Sequence, residues 1–202
     1  MALRDRIEDA FGVSPQIYRA GRYGLGPNSA QILSQAGFKL DTSVRSRFDY
    51  RSQNGPDYSH HPLKPYWADP KADLLELPVT TIFWGILRQL GPYIHRAQSL
   101  MPTLFGGFSK FGLLERIALT PEGVTSEEAI RGVDIALDEG LPLLVLSFHS
   151  PSLAPGNTPY AKDEAAVEAL YDWLRSVYSY LDKRGVKSTN TGQIIKAAKL
   201  SQ

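Results

Sequence analysis

Residues 141–150 read LPLLVLSFHS, and residues 143–148 within this stretch are almost entirely apolar. Such a run is typical of a strand buried on both faces, as in a parallel sheet that is covered by helices. His149 follows the run directly, and Ser150-Pro151 turns the chain away from it. We therefore predict an α/β fold in which a strand over residues 143–148 carries His149 to an edge of its sheet.

Two helix signals flank this predicted strand. Thr125 and Glu128 have the spacing of a capping box, which predicts the start of a helix that Gly140 ends. Residues 162–183 repeat apolar side chains at helical spacing, which predicts a long amphipathic helix. Its apolar stripe fits a coiled-coil seam or core packing, and its short length favours core packing. The stripe consists of Val167, Leu170, Leu174, Val177 and Leu181.

The amino-terminal region predicts a strand, loop, helix and strand in succession. After a short helix over residues 2–11, an extended stretch at 16–18 leads into a glycine-containing loop. A helix over 27–36 and an alternating strand over 38–44 follow. Strands that are joined through a helix pair in parallel, which again favours an α/β sheet.

Residues 45–73 are rich in proline, asparagine, glycine and aromatic side chains and lack periodicity. They predict a long ordered loop, a type of segment that is usually functional when it occurs inside a domain. A further strand is predicted over residues 74–79, and a short one over 117–119. The length of the chain suits a single domain over residues 1–202.

Composition excludes several classes of protein. With 22 basic and 21 acidic residues, the chain has no surplus of positive charge with which to bind nucleic acid. It has no cysteine, so disulfides and thiolate metal sites are excluded. No apolar run is long enough to span a membrane, and the first residues lack the apolar core of a signal peptide. We therefore expect no membrane partner and a cytoplasmic location.

Four polar side chains stand at or just past predicted strand ends, where parallel sheets bind their ligands: Arg19, Asp41, Glu76 and His149. His149 is the strongest candidate for catalysis because a histidine can transfer a proton near neutral pH. Its alternative role is a structural hydrogen bond to the loop over residues 150–160.

The other three candidates each have two interpretations. Arg19 either orients a carboxylate at a site or forms an ordinary salt bridge, and Tyr23 in the same loop is a candidate substrate contact. Asp41 either contacts substrate or caps a turn. Glu76 either joins Asp41 as the carboxylate pair of a glycosidase or faces solvent from its strand.

Aromatic side chains in and near residues 45–73 suggest a place for a sugar. Trp67 is the main candidate because aromatic faces stack on sugar rings, although such residues equally form the core of their own loop. His60 and His61 are adjacent and point apart in an extended chain, so we expect them to be exposed. The motifs of this chain assemble no metal site.

Four stretches together resemble the polysaccharide deacetylase family, the NodB-homology carbohydrate esterases: YRAGRYG (18–24), DTSV (41–44), LELPVT (75–80) and LSFHS (146–150). The resemblance covers the order of motifs over most of residues 10–195. The first stretch is similar to the arginine motif of the family, with Gly21 where proline is usual. The last stretch is similar to the leucine–histidine motif near the end of the domain.

This resemblance implies a distorted (β/α) barrel that removes N- or O-acetyl groups from sugars with a metal, usually zinc. In the family a metal-bound water attacks the acetyl carbonyl, and an aspartate is the base. The residue that matches His149 protonates the leaving amine, and the residue that matches Arg19 tethers the catalytic aspartate.

The sequence departs from the family ahead of Arg19. The family's first two motifs carry the base and the metal ligands and precede the arginine motif, but residues 1–18 contain neither. We therefore expect an incomplete barrel without its first strands. We also expect no stoichiometric zinc and no acetate release from this chain, although the intact family domain would need zinc or another divalent metal. Both a shortened chain and a true loss of the motifs would explain why the family's first two motifs are not found ahead of Arg19.

Two further expectations follow from an incomplete barrel. The first is an alternative function: a catalytically inactive domain that binds saccharide through its aromatic loop or presents a surface to a partner. An open barrel also exposes a sheet edge, and an exposed edge promotes pairing between copies of a chain. We therefore expect self-association into a homo-oligomer.

Overall fold

A computed structural model of the chain describes residues 2–69, 71, 73–91, 93–94 and 113–200. The chain divides into two compact units. The first unit is Met1–Pro78 together with Thr189–Gln202, and the second is Val79–Ser188. Each unit contains a small sheet and is described separately. The single domain and the barrel over the whole chain stay predictions.

The described residues contain six strands and five α-helices. The strands are β1 (Ile17–Tyr18), β2 (Leu40–Asp41), β3 (Tyr66–Trp67), β4 (Leu75–Glu76), β5 (Thr81–Trp84) and β6 (Glu115–Ala118). The α-helices are α1 (Ala2–Phe11), α2 (Ser29–Gln35), α3 (Ser126–Asp138), α4 (Glu164–Lys183) and α5 (Thr191–Leu200). Short 3-10 helices lie at Gly21–Tyr23, Arg51–Gln53, Arg88–Leu90 and Ser150–Leu153.

The sheet of the first unit has the strand order β1-β2-β4-β3. β1 pairs with β2 and β2 pairs with β4 in parallel, whereas β3 is antiparallel to β4. The predicted strand–helix–strand unit is confirmed, because α2 connects the parallel strands β1 and β2. Gly37 has a positive φ of 85° directly after α2, a conformation that glycine adopts without strain.

The core of the first unit lies between α2 and its sheet. Leu33, Phe38 and Leu74 are buried together there, and Tyr18 packs against them with its ring edge-on to Phe38. The described residues of 45–73 are irregular apart from β3 and the 3-10 helix at Arg51–Gln53. This loop was also expected to hold exposed histidines, but His61 is half-buried in it.

In the second unit, α3 packs on the antiparallel pair of β5 and β6. The approach is close at Gly132, where an added Cβ would lie 3.2 Å from Cγ2 of Ile117. α4 packs on α3, and the predicted stripe of α4 is confirmed as core because Val167, Leu170 and Val177 are buried. The Trp173 indole is buried with them and donates to the Val124 carbonyl at 2.9 Å.

The prediction of a buried strand over residues 143–148 is wrong. These residues form no strand, and most of them are half-buried. The Val145 carbonyl accepts from Thr80 N at 3.1 Å and Ser147 N donates to the Leu119 carbonyl at 3.0 Å, but Val145 N donates to the Thr80 hydroxyl at 2.8 Å. A side chain thus takes the place of a backbone acceptor, which interrupts the ladder.

The predicted capping box at the start of α3 is confirmed in both directions. Glu128 N donates to the Thr125 hydroxyl at 3.2 Å, and Thr125 N donates to the Glu128 carboxylate at 2.7 Å. Both bonds satisfy backbone groups that have no partner inside the helix. A helix of the second unit therefore begins where the sequence predicts it.

Replacing Thr125 by alanine should lower the free energy of unfolding by about 1 kcal/mol, because the N3 amide loses its acceptor. Urea denaturation followed by circular dichroism measures the change. Ser126→Ala, one residue further on, is the control and should change the stability by no more than a few tenths of a kcal/mol. Equal losses for the two variants would contradict a specific capping role.

Two surface features concern partners. Within the described residues, no helix combines the length and the apolar character that crossing a membrane requires. β1 forms one edge of its sheet, and its residue Ile17 is 52% exposed. An edge strand with an exposed apolar side chain is a site at which a second chain can pair.

Self-association through this edge stays a prediction, which light scattering over a range of concentrations tests. We expect the average mass to rise with concentration and Ile17→Lys to suppress that rise, because a charged side chain blocks strand pairing. Ile32→Lys, at a residue of α2 with the same 52% exposure, is the matched control. A concentration-independent monomer would contradict the prediction.

Candidate functional sites

The structure places the predicted site residues in both units. Arg19, Tyr23, Asp41, Trp67 and Glu76 belong to the first unit, whereas His149 belongs to the second. Each group has its own partners, which are described in turn. A buried pair of carboxyl groups dominates the first, and a histidine bonded to a carboxylate dominates the second.

Asp41 and Glu76 lie side by side at the ends of two neighbouring parallel strands. They are aligned in the register of β2 and β4, and only 2% of Asp41 and 1% of Glu76 is exposed. The Asp41 carboxylate accepts hydrogen bonds from Glu76 and from the hydroxyl and backbone N–H of Ser43. Glu76 Oε1 accepts from Val44 N at 2.9 Å. Both carboxyl groups are therefore fully engaged within the protein.

The protonation of this pair follows from its burial. Burial, with the adjacent charge of Asp41 as the second cause, raises the pKa of Glu76 to about 9. Burial also raises the pKa of Asp41, although the bonds from Ser43 and Glu76 oppose that rise. Glu76 therefore holds a proton at neutral pH and donates it to the Asp41 carboxylate.

This geometry bears on two predictions about the pair. A glycosidase keeps its two carboxyl groups at least about 5 Å apart across a cleft, whereas Asp41 and Glu76 are buried and hydrogen-bonded to each other. This arrangement disfavours the glycosidase alternative, which stays a prediction. The turn-capping role of Asp41 is confirmed by its bond to Ser43 N at 3.0 Å, and its contact with substrate stays a prediction.

Arg19 and Tyr23 form a second group next to a strained turn. Arg19 Nη2 donates to the Tyr23 hydroxyl at 3.2 Å, and its guanidinium lies 5.3 Å from the centre of the Tyr23 ring. Arg22 and Tyr23 both have positive φ, at 54° and 57°. The Tyr58 hydroxyl donates to the Tyr23 carbonyl at 2.5 Å and so supports this turn. Residues that hold such conformations cluster at functional sites.

The aromatic side chains of the long loop contact one another. Tyr50 stacks with Tyr23 at a centroid distance of 6.0 Å and with Phe48 at 5.8 Å. The Arg45 guanidinium lies 3.9 Å from the centre of the Phe48 ring. Trp67, the predicted sugar contact, is half-buried and pairs with Leu75 across the sheet. These contacts favour a core that belongs to the loop itself, and sugar stacking on Trp67 stays a prediction.

His61 belongs to the same loop core. Its Nδ1 lies 2.7 Å from the Tyr66 hydroxyl, and its ring packs edge-on against Tyr58. Burial lowers the pKa of His61 and raises that of Tyr66. The sequence predicts that His61 is exposed because no local pattern shows that the long loop brings His61 against Tyr66 of β3.

In the second unit His149 is bonded twice to Glu122. Its Nδ1 lies 2.7 Å from Glu122 Oε2, and its backbone N–H donates to Glu122 Oε1 at 2.8 Å. The Glu122 side chain is only 8% exposed, whereas that of His149 is 58% exposed. A sheltered carboxylate thus holds an accessible imidazole in one orientation.

Three further residues support this pair. The Ser152 hydroxyl donates to Glu122 Oε1 at 3.3 Å and lies 2.9 Å from the Thr158 hydroxyl. Ser152 is fully buried in the 3-10 helix that begins after His149. The Tyr160 ring stacks on the His149 ring at 6.0 Å with an interplanar angle of 15°. The imidazole is therefore fixed by its hydrogen bonds at one edge and by a ring on one face.

The pairing determines the chemistry that is open to His149. When Nδ1–H donates to a carboxylate, Nε2 is the nitrogen that can exchange a proton with a bound molecule. The arrangement is that of a general acid or base with an orienting carboxylate.

Glu122 is a site residue that the sequence analysis does not single out. It lies four residues after the end of β6, in the segment TPEG at residues 120–123. Its place just past the short predicted strand at 117–119 is the one local signal for it, because polar residues past strand ends are candidates for a site. Only the fold shows that these two positions meet.

Comparison of the chain with protein families, curated proteins and solved structures finds no match. The assignment of a function therefore depends on the residues and their geometry.

The zinc that the family resemblance implies does not fit the described residues. A metal of that kind needs at least three histidine or carboxylate ligands that converge, and the described part of the chain contains no such group. The two best-formed carboxylate sites are satisfied by other partners, since Asp41 binds Ser43 and Glu122 binds His149. No chemical step is therefore assigned to a metal.

The tautomer of His149 tests the geometry of its site. In its neutral form we expect the proton on Nδ1, because Glu122 accepts it, and Glu122→Ala should shift the population toward the Nε2–H form that free imidazole side chains favour. Nitrogen chemical shifts of labelled histidine, assigned with His149→Ala, report the tautomer. Glu127→Ala is the control and should leave it unchanged. A mainly Nε2–H form in the unsubstituted protein would contradict the assigned bond.

Proposed function

We propose that this chain carries the proton-donor part of a polysaccharide deacetylase-like hydrolytic site, with an acetylated amino sugar or polysaccharide as the substrate class. The observation that carries this proposal is the accessible His149 imidazole, whose Nδ1 lies 2.7 Å from the sheltered Glu122 carboxylate. The resemblance of LSFHS at residues 146–150 to the family's histidine motif supports the same role.

In the proposed step, a base takes one proton from water, the resulting hydroxide adds to the acetyl carbonyl, and the bond from that carbon to the sugar nitrogen or oxygen then breaks. The family resemblance assigns that base to an aspartate of a motif that residues 1–18 do not contain. His149 donates its Nε2 proton to the departing atom and becomes neutral, while Glu122 keeps the ring oriented through Nδ1. Tyr160 covers one ring face and limits the directions from which a substrate reaches Nε2.

Arg19 is proposed to act as the family resemblance implies, by orienting a carboxylate. Its contact with Tyr23 supports a fixed guanidinium, because the Tyr23 hydroxyl and ring both hold it. The motifs that would supply the base and the metal ligands are not among residues 1–18. We therefore propose that this chain binds the acetylated sugar at His149 and is impaired in the reaction itself.

Binding at His149 is tested by titrating the labelled protein with an N-acetylglucosamine oligosaccharide and following the His149 ring signals. We expect the ring signals to shift and the same oligosaccharide without acetyl groups to cause a much smaller shift. His60→Ala, at an exposed histidine in the other unit, is the control and should preserve the response. Unchanged His149 signals at millimolar oligosaccharide would refute the proposal.

The expected impairment is tested with the same protein by metal analysis and an acetate-release assay with added zinc. We expect no stoichiometric zinc and no acetate release, because the chain lacks the family's base and metal-ligand motifs. Acetate release that survives His149→Ala would contradict the assigned proton donor. Full release that requires His149 would instead show that the base and the metal ligands lie among other residues of this chain.

A second candidate function is saccharide binding without catalysis, through the loop that contains Trp67. The density of aromatic side chains in and near this loop is the observation that favours it, because aromatic faces stack on sugar rings. Tyr23, Phe48 and Tyr50 stack on one another instead, so Trp67 is the candidate contact. This candidate predicts oligosaccharide binding that persists in His149→Ala and falls in Trp67→Ala. The proposed function predicts the opposite response of the two variants.

A further inference from the structure

Asp41 and Glu76 have no part in the proposed reaction, although they are the most deeply buried acidic residues of the first unit. Their position results from the parallel register, which aligns the last residue of β2 with the last residue of β4. Burying two carboxyl groups is costly unless their charge is removed or compensated. We therefore expect these two buried carboxyl groups to make contacts that offset the cost of their burial.

Both carboxyl groups hold the same stretch of chain, which we call the covering segment, residues 42–65. Asp41 accepts from the backbone N–H of Ser43 at 3.0 Å and from its hydroxyl. Glu76 accepts from Val44 N at 2.9 Å, across 32 positions of sequence. The start of the covering segment is thus anchored to the sheet by two acidic side chains.

The pair has no compensating positive charge among the residues that the structure describes. Within the described residues, neither Asp41 nor Glu76 forms an ion pair with a lysine or an arginine. The titratable groups that face the pair are phenols: Tyr18 of β1 is aligned with Asp41, and Tyr66 of β3 is aligned with Glu76. Tyr58 approaches from the covering segment, close enough that both carboxyl groups affect its ionisation. Two adjacent buried carboxylates without a cation do not both ionise.

Two basic side chains of the covering segment have partners of their own. His61 contacts the rings of Tyr58 and Tyr66. The Arg45 guanidinium lies over the Phe48 ring and donates to the Tyr50 hydroxyl at 3.3 Å. The stability of the pair therefore depends on the proton that Glu76 donates to Asp41.

We propose that Asp41 and Glu76 share one proton which fastens the covering segment to the sheet, so that loss of this proton at alkaline pH releases the segment. The proton leaves Glu76 for solvent, the bond between the carboxyl groups breaks, and two negative charges then face each other. Opening the segment lets water reach both charges and removes the repulsion.

Release would change the surface near Arg19 as well. The covering segment includes Arg47, whose φ is 69°, and Tyr58, whose hydroxyl supports the positive-φ residue Tyr23. When Tyr58 withdraws, the Tyr23 carbonyl loses its donor at 2.5 Å. The loop that carries Arg19 then loses its support, because Arg19 is held by the Tyr23 hydroxyl. The shared proton thus couples pH to the conformation of this loop.

The direction of the pH effect follows from the raised pKa of Glu76, about 9 against an ordinary value of 4.5. The closed state binds a proton that the open state, with an ordinary carboxyl group, does not bind in this range. The shared proton therefore stabilises the closed state in full below the ordinary pKa of 4.5, and this stabilisation is lost as pH rises from there toward 9. The opening equilibrium constant should therefore rise about tenfold per pH unit in this window and level off above it.

Amide hydrogen exchange read by mass spectrometry tests the proposal, after correction for the intrinsic pH dependence of exchange. Between about pH 6 and 9, we expect peptides from the covering segment to lose protection roughly tenfold per pH unit. Peptides from α3 and α4 should keep their protection. Constant protection of the covering segment, or equal loss in all peptides, would overturn the proposal.

Glu76→Gln is the decisive variant, because its amide still donates to Asp41 and accepts from Val44 N but does not ionise. We expect it to abolish the pH dependence of the covering segment. The control is Asp69→Asn, at a buried carboxylate that binds the backbone of Leu74 and has no carboxyl partner, and it should keep the dependence. An unchanged pH dependence in Glu76→Gln would overturn the proposal.

A measurement on the unsubstituted protein keeps the proposal testable if Glu76→Gln does not fold. Carbon NMR of labelled glutamate side chains follows the ionisation of Glu76 directly. We expect Glu76 to titrate well above the other glutamates, in step with the loss of protection. Titration of Glu76 together with the exposed glutamates would overturn the proposal.

Discussion

The hydrogen bond between Glu76 and Asp41 is the interaction on which the first unit depends. Parallel pairing of β2 and β4 places the two carboxyl groups opposite each other, and the sheet buries them. The bond is stable only while one group is neutral, since no cation among the described residues pairs with either group. The backbone of Ser43 and Val44 is held by the same two side chains, and the start of the long loop depends on them in turn.

His149 is also bonded to a sheltered carboxylate, but this pair remains accessible to a bound molecule. Glu122 is also a sheltered carboxylate near the end of a strand, but its partner is an imidazole with much of its surface accessible. The imidazole can take up the positive charge that complements Glu122, so this pair needs no shared proton between two acids. The buried Asp41–Glu76 pair therefore suits a structural role. The Glu122–His149 pair suits proton transfer to a bound molecule, because its imidazole is accessible.

The helices were the part of the fold most accessible from sequence. Local signals define them: the capping box at Thr125 starts α3, and the apolar repeat predicts α4 within two residues at its start. The strands were harder, because those of the first unit are two residues long and carry almost no periodicity. β3 and β5 were missed, and residues 143–148 were predicted as a strand because an apolar run does not show that the Thr80 hydroxyl interrupts its ladder.

The sequence by itself determined the helices α1 to α4, the parallel strand–helix–strand unit and the position of His149 after an apolar run, because these depend on neighbouring residues and on periodicity. The helix α5 was not predicted. Only the tertiary structure decided that Glu122 pairs with His149 and that Glu76 binds the backbone of Val44. Glu122 reaches His149 across 27 positions and Glu76 reaches Val44 across 32. Such contacts depend on strand register and on the path of the loops, and no local pattern encodes either.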